Sequence, residues 1–220
     1  MDAAPTSKKD IMKNDIKKKC QTILEKYFEK REYDKEKVEK WKNYALKEVY
    51  DYLEKEYNDF GFIIAIITMK RGNTRTDSRN LCRNNTDDFL LVKVTSNTMY
   101  SEIRVNFYKI YNSKISLFDF IDEDIILEMN NILTKNLEGK KYLYESVNES
   151  VSNIVKDLNN YLLNKNVEKR PCSSNICYII EKPMEFKFNY KIIRLKYLPL
   201  IASYTNNSLY SLLFLILLDN

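Results

Sequence analysis

Histidine is missing from all 220 residues, and glycine, proline and cysteine are scarce at 3, 4 and 4. Without an imidazole, the Ser-His-Asp and Cys-His arrangements, the commonest general base and every metal site that needs a His ligand are excluded. The glycines (Gly61, Gly72 and Gly139) stand alone, so neither a GxGxxG turn nor a phosphate-cradling Walker loop can be written. The N-terminal MDAAPTSKKDIMKND lacks the apolar stretch of a secretory signal. The apolar C-terminal stretch SLLFLILL falls far short of the ~20 residues that span a bilayer, and reads as a buried strand. Cys20, Cys82, Cys172 and Cys177 read as reduced thiols, and the Cys172/Cys177 pair has no second pair with which to complete a zinc site. Asp87 and Asp88 are adjacent, so on a strand they face opposite sides and suit a turn better than a catalytic pair. Asp119, Asp122, Glu123 and Asp124 lack calcium-loop spacing and suit the start of a helix. No catalytic group and no cofactor is expected.

What is present is enough for a core. Apolar residues make up 44% and charged residues 30%, with 17 Tyr, 10 Phe, one Trp and a net charge of +5. That length suits one large domain or two small ones. The basic excess is concentrated in residues 61–114 and 167–220, without a long basic run. Solvated faces explain it more simply than a nucleic-acid site, whose affinity would fall steeply with salt.

The informative feature is an internal repeat. Displaced by 109 positions, residues 15–53 fall on 124–162 with eleven identities, among them Asp15/Asp124, Ile23/Ile132, Leu24/Leu133, Lys26/Lys135, Tyr33/Tyr142, Val38/Val147 and Leu53/Leu162. The substitutions Cys20/Met129, Phe28/Leu137, Ala45/Ile154 and Val49/Leu158 keep apolar character. Ile16, Cys20, Ile23, Leu24, Tyr27 and Phe28 form one stripe at helical spacing, and Val38, Trp41, Ala45, Val49, Tyr52 and Leu53 form a second. Both recur in the second half. Gly139 suits a helix C-terminus in the second link, and Trp41 reads as core.

Each helix pair is followed by strand patterns. In the first half these are residues 61–70, 73–84, 88–95 and 98–111. The first is a continuous β-branched run suited to a buried strand. In the last, Met99, Ile103, Val105 and Phe107 alternate with Tyr100, Glu102, Arg104 and Asn106, the period of a half-buried strand. The second half reads as strands over 175–182, 184–190, 191–198 and 208–218. Ser96-Asn97-Thr98-Met99-Tyr100-Ser101 aligns with Asn206-Asn207-Ser208-Leu209-Tyr210-Ser211.

Several of these residues carry a family resemblance. Tyr33-x4-Val38-x2-Trp41, the FIIAIITMK strand, Thr86-Asp87-Asp88, Lys93-Val94 and the Ser96-Asn97-Thr98-Met99-Tyr100 turn make residues 15–111 similar to the Tctex-type dynein light chains. The second half keeps the layout but has Ser150 in the place of Trp41 and Asn-Ser-Leu-Tyr in the place of Asn-Thr-Met-Tyr. The resemblance implies an α+β fold of two helices on a four-stranded antiparallel sheet, duplicated in tandem. The expected layout is a flexible segment 1–14, a first light-chain domain 15–111, a connector 112–123 and a divergent second domain 124–220.

It further implies a non-catalytic adaptor of the cytoplasm and cytoskeleton, in a dynein complex or an axoneme. Such an adaptor holds a dynein intermediate-chain segment or cargo by strand addition, and other dynein light chains are further candidate partners. No membrane partner is expected. Family homodimers exchange their second strand, and duplication allows that exchange within one chain, as a strand-swapped pseudo-dimer, or between chains. The expected docking and exchange edge is Thr74, Arg75, Thr76, Ser78, Arg79, Cys82 and Arg83 in the first repeat. In the second it is Phe186, Phe188 and Tyr190. Arg75, Arg79 and Arg83 share one face of a regular strand. A scaffold working away from dynein, and behind it a nucleic-acid binder, remain as alternatives.

Overall fold

The structure, a computed structural model, describes residues 8–71, 88–109, 123–143, 145–164, 172–182, 186–194 and 200–218. They form two compact units, each with its own core.

The first unit opens with α1 (Lys8–Leu24), closed by a π-helical turn over Glu25–Glu29, and continues with α2 (Lys35–Glu56). Asp34 starts α2, its Oδ1 accepting from the Glu36 and Lys37 N–H groups, each at 3.0 Å. β1 (Phe60–Lys70), β2 (Asp88–Thr95) and β3 (Met99–Lys109) follow, and β5 (Phe186–Ile193), from far along the chain, completes the sheet in the order β2-β3-β1-β5. All three pairings are antiparallel. The two sequence stripes become one core: Ile16, Cys20, Ile23, Leu24, Phe28, Val38, Ala45, Val49 and Leu53 meet Phe62, Ile64, Ile66, Val92, Ile103, Val105 and Phe107. Trp41 packs against this core partly buried, with the Arg31 guanidinium 4.6 Å from its ring centroid.

The second unit contains α3 (Glu123–Leu137), α4 (Val147–Asn164), β4 (Cys172–Glu181), β6 (Leu200–Thr205) and β7 (Leu209–Leu218), with strand order β4-β7-β6. Helices and sheet again enclose one core, from Met129, Leu133, Leu137, Val151, Ile154 and Leu158 to Ile179, Leu213 and Leu215. Gly139 sits at φ +70° just past α3, the left-handed conformation that ends helices without a side-chain clash.

Details recur between the units. The backbone N–H of Tyr33 donates to Thr98 Oγ1 at 2.7 Å, and that of Tyr142 donates to Ser208 Oγ at 2.7 Å. Lys26 pairs with Glu48 at 2.7 Å, and Lys135 with Asp157 at 3.0 Å. The turn bond from Ser96 N–H to the Met99 carbonyl reappears from Asn206 to Leu209.

Four expectations need correction. Residues 8–14 are helical, because Met12 extends the Ile16 stripe by one turn and is itself buried. The segments 184–190 and 191–198 are not two strands: β5 runs unbroken to Ile193, where Arg194 takes a positive φ of 55°. The next strand is β6, which the sequence reading missed. β3 is buried on both faces, with Glu102, Arg104 and Asn106 at 2%, 1% and 1% exposure. The Arg104 guanidinium lies over the Phe89 ring at 4.6 Å, and Tyr100 donates its hydroxyl to Glu102. These contacts let polar residues sit where alternation alone predicts solvent. Residues 73–84, Asp87, Asp119 and Asp122 lie outside the described residues; Asp88 begins β2 and accepts from Lys13 Nζ at 2.7 Å.

One polar cluster ties α1 to the end of α2. Asp15 Oδ2 accepts from the hydroxyls of Tyr52, at 2.6 Å, and Tyr57. Burial, and then the bond to Asp15, pushes the Tyr57 hydroxyl up to about 12 from 10.0, and Tyr52 higher still. A phenol raised in the folded state contributes stability in full below its unfolded value, and that stability is lost as pH rises through the folded value. The urea midpoint is therefore expected to fall between pH 10 and about 12, and Asp15→Asn is expected to flatten the fall. An equal alkaline slope in the variant would count against this linkage.

Candidate strand-docking site

β1 reads as a strand buried on both faces, and it is. One border is taken by β3 along its whole length; the other is taken by β5, from Phe62 opposite Ile193 to Met69 opposite Phe186. Among the described strands β5 and β2 are therefore the sheet's outer members. An outer strand carries a row of N–H and C=O groups that an added strand can satisfy.

Two clamps hold β5 to α2. At the first, Lys42, wholly buried on the apolar stripe of α2, donates from Nζ to Asn189 Oδ1 at 3.1 Å and pairs with Glu39 at 3.3 Å. Asn189 Nδ2 donates in turn to Glu39 Oε1 at 3.0 Å and Asn43 Oδ1 at 2.8 Å. Burial pulls the Lys42 ammonium below its usual range, against the opposing pull of Glu39. Burial pushes the Glu39 carboxyl up, but the Asn189 and Lys42 hydrogen bonds and charge outweigh it and leave it lowered. At the second clamp, Arg194 donates to the carbonyls of Glu54 and Tyr57 and to Asn58 Oδ1, covering acceptors that the end of α2 leaves open. Lys191 Nζ lies 4.7 Å from the Tyr50 ring centroid on the same side.

Of the expected docking residues, Phe186, Phe188 and Tyr190 lie on β5, in register with Met69, Ile67 and Ala65. Phe188 and Tyr190 are half-buried with ring centroids 6.2 Å apart. Thr74, Arg75, Thr76, Ser78, Arg79, Cys82 and Arg83 lie outside the described residues. Lys42, Asn189 and Arg194 were missed. Lys42 did leave a signal, since a lysine stands where the stripe from Val38 to Ala45 calls for an apolar residue.

The arrangement offers hydrogen-bonding edges and aromatic surface. Among the described residues no group of three His, Cys, Asp or Glu side chains could hold a metal ion. Burial pushes the thiols of Cys20 and Cys177 up to about 12, so neither is a nucleophile near neutral pH. No described helix is long and apolar enough to cross a membrane. Compared with known families, residues 10–107 match the model of the Tctex-1 family. No curated protein matches the chain.

Proposed function

We propose, from the match of residues 10–107 to the Tctex-1 family, that the chain is a non-catalytic dynein light chain, an adaptor that holds a dynein intermediate-chain segment or a cargo segment by strand addition. The observation that carries this reading is the outer position of β5 in a sheet whose other strands all come from the family-matched segment. Main-chain bonds along such a border supply affinity, and side chains such as Phe188 and Tyr190 supply choice.

In the same reading, the second half is a diverged copy of the first. The shared helix-pair layout, the strand orders β2-β3-β1 and β6-β7-β4, and the paired Tyr33–Thr98 and Tyr142–Ser208 bonds support it. β5 then does within one chain what a second subunit does in the family's homodimers. A tethered strand acts at an effective concentration of roughly millimolar, so this pairing persists on dilution.

The test is fluorescence anisotropy with a labelled dynein intermediate-chain peptide. Binding is expected, and it should weaken about tenfold or more when Arg75, Arg79 and Arg83 are all changed to Ser, or when Phe188 and Tyr190 are. Unchanged affinity in both variants would remove the proposed edge. Light scattering tests the pairing, with a mass near 26.3 kDa expected for a self-contained chain. Co-purification with dynein heavy and intermediate chains separates this role from that of a scaffold acting elsewhere.

A further inference from the structure

The apolar pattern of β5 leaves its register underdetermined. Phe186, Phe188, Tyr190 and Ile192 alternate along one face, at the β1 positions of Met69, Ile67, Ala65 and Ile63. A slip of one residue turns every side chain to the wrong face and is excluded on that ground. On this face a slip of two returns an aromatic or aliphatic residue to nearly every site, so burial there discriminates against it weakly; on the other face Ile193, buried at the end of the strand, is the one apolar residue opposing it.

The other face carries Lys187, Asn189, Lys191 and Ile193, and Asn189 supplies its single amide. In the observed register that amide meets the buried Lys42 and is bonded at both ends: Oδ1 accepts from Lys42, and Nδ2 donates to Glu39 and Asn43. A slip of two in either direction withdraws the amide and brings Lys187 or Lys191 toward Lys42. An ammonium without solvent would then face a second ammonium, having lost its amide acceptor while keeping the pair with Glu39. The second unit differs at the matching position, where α4 carries the wholly buried Val151. Setting β5 beside β4 would bury Asn189 against an apolar helix face.

We infer that Lys42 and Asn189 form an address for β5, fixing both its register and its choice of β1 over β4. Glu39 and Asn43 orient the amide. The strand this border accepts is defined by its chemistry: an amide facing Lys42, cations two residues to either side, and an arginine five residues on to cover the end of α2. Buried polar groups elsewhere fix pairing at a cost in stability, and rejection of wrong partners commonly rests on a repulsive element. The inference rests on the strand pairing and is independent of any partner the adaptor binds.

Disulfide cross-linking in the full-length chain tests it. Ala65→Cys is combined with Tyr190→Cys, which reports the observed register, or with Phe188→Cys or Ile192→Cys, which report slips of two. Peptide mass mapping separates these cross-links from any made by native cysteines. In the parent sequence the in-register product is expected to dominate. In Lys42→Met/Asn189→Leu, where both buried polar groups are gone, the chain is expected to fold and the ratio of slipped to in-register product to rise about tenfold, or about 1.4 kcal/mol of register preference. Asn189→Leu alone leaves the buried Lys42 ammonium paired with Glu39 but without its amide acceptor, and is expected to be less stable than the double variant. An unchanged cross-link ratio in the double variant, or a single variant as stable as the double, would overturn the address.

Discussion

A fragment ending at Lys109 is expected not to remain a monomer. It keeps α1, α2 and β1 to β3 but loses β5, so the border of β1 from Phe62 to Met69 is left without its partner. The exposed strip includes Ile63, Ala65, Ile67 and Met69, all buried in the intact chain. A long, flat, apolar strand border pairs with whatever strand it meets, most often another copy of itself. Sedimentation velocity should therefore show dimers and larger species where the full chain is uniform. A synthetic peptide of residues 185–195 should return the fragment to a discrete species. A fragment that sediments as a folded monomer without the peptide would contradict this account of β1.

Truncating one core residue in each unit gives the largest expected point-mutation effects. Ile103 on β3 and Leu213 on β7 occupy matching places in their sheets, and each is wholly buried. Replacing either by Ala removes apolar contacts and leaves a cavity that close-packed neighbours fill only in part, at about 2–5 kcal/mol. The denaturant midpoint should drop with little change in slope, as measured by the loss of circular dichroism in urea. A change below about 1 kcal/mol in either variant would mean that its site collapses freely, contrary to two tightly packed cores.

The helices and most strands were legible in the sequence because their apolar periods are long and regular. The stripes from Ile16 to Phe28 and from Val38 to Leu53 line the core, with Tyr27, Trp41 and Tyr52 partly buried at its margin, and FIIAIITMK is the two-faced strand it reads as. The second helix pair was readable because Val147, Val151, Ile154 and Leu158 keep the apolar spacing of the first. β5 and β6 were harder. Phe186 to Ile193 alternates without a break, and the reading placed a boundary inside it, whereas the chain turns at Arg194. No turn-forming dipeptide marks that point, because an arginine in a left-handed conformation follows from its contacts with α2 and not from its own preference. The buried polar face of β3 was illegible for a related reason. Alternation reports which residues differ in polarity, and Arg104 over Phe89 is a tertiary match that no local pattern encodes.

The aromatic members of the candidate docking edge could be placed because Phe186, Phe188 and Tyr190 share one side of a strand. The clamp behind them could not, since it joins Lys42 to Asn189 across 147 positions of sequence. Its one local trace was a charged residue inside an apolar stripe.

The distance in sequence between β1 and β5 also bears on the chain's birth. Translation proceeds at roughly 5–20 residues per second, so β1 leaves the ribosome about 6 to 25 seconds before the strand that will lie beside it. Throughout that interval a nascent chain displays an adhesive border that, among the described residues, only the distant β5 covers. Chaperone occupancy on ribosome-bound chains should accordingly climb once β1 emerges and decline only after Ile193 has cleared the exit tunnel.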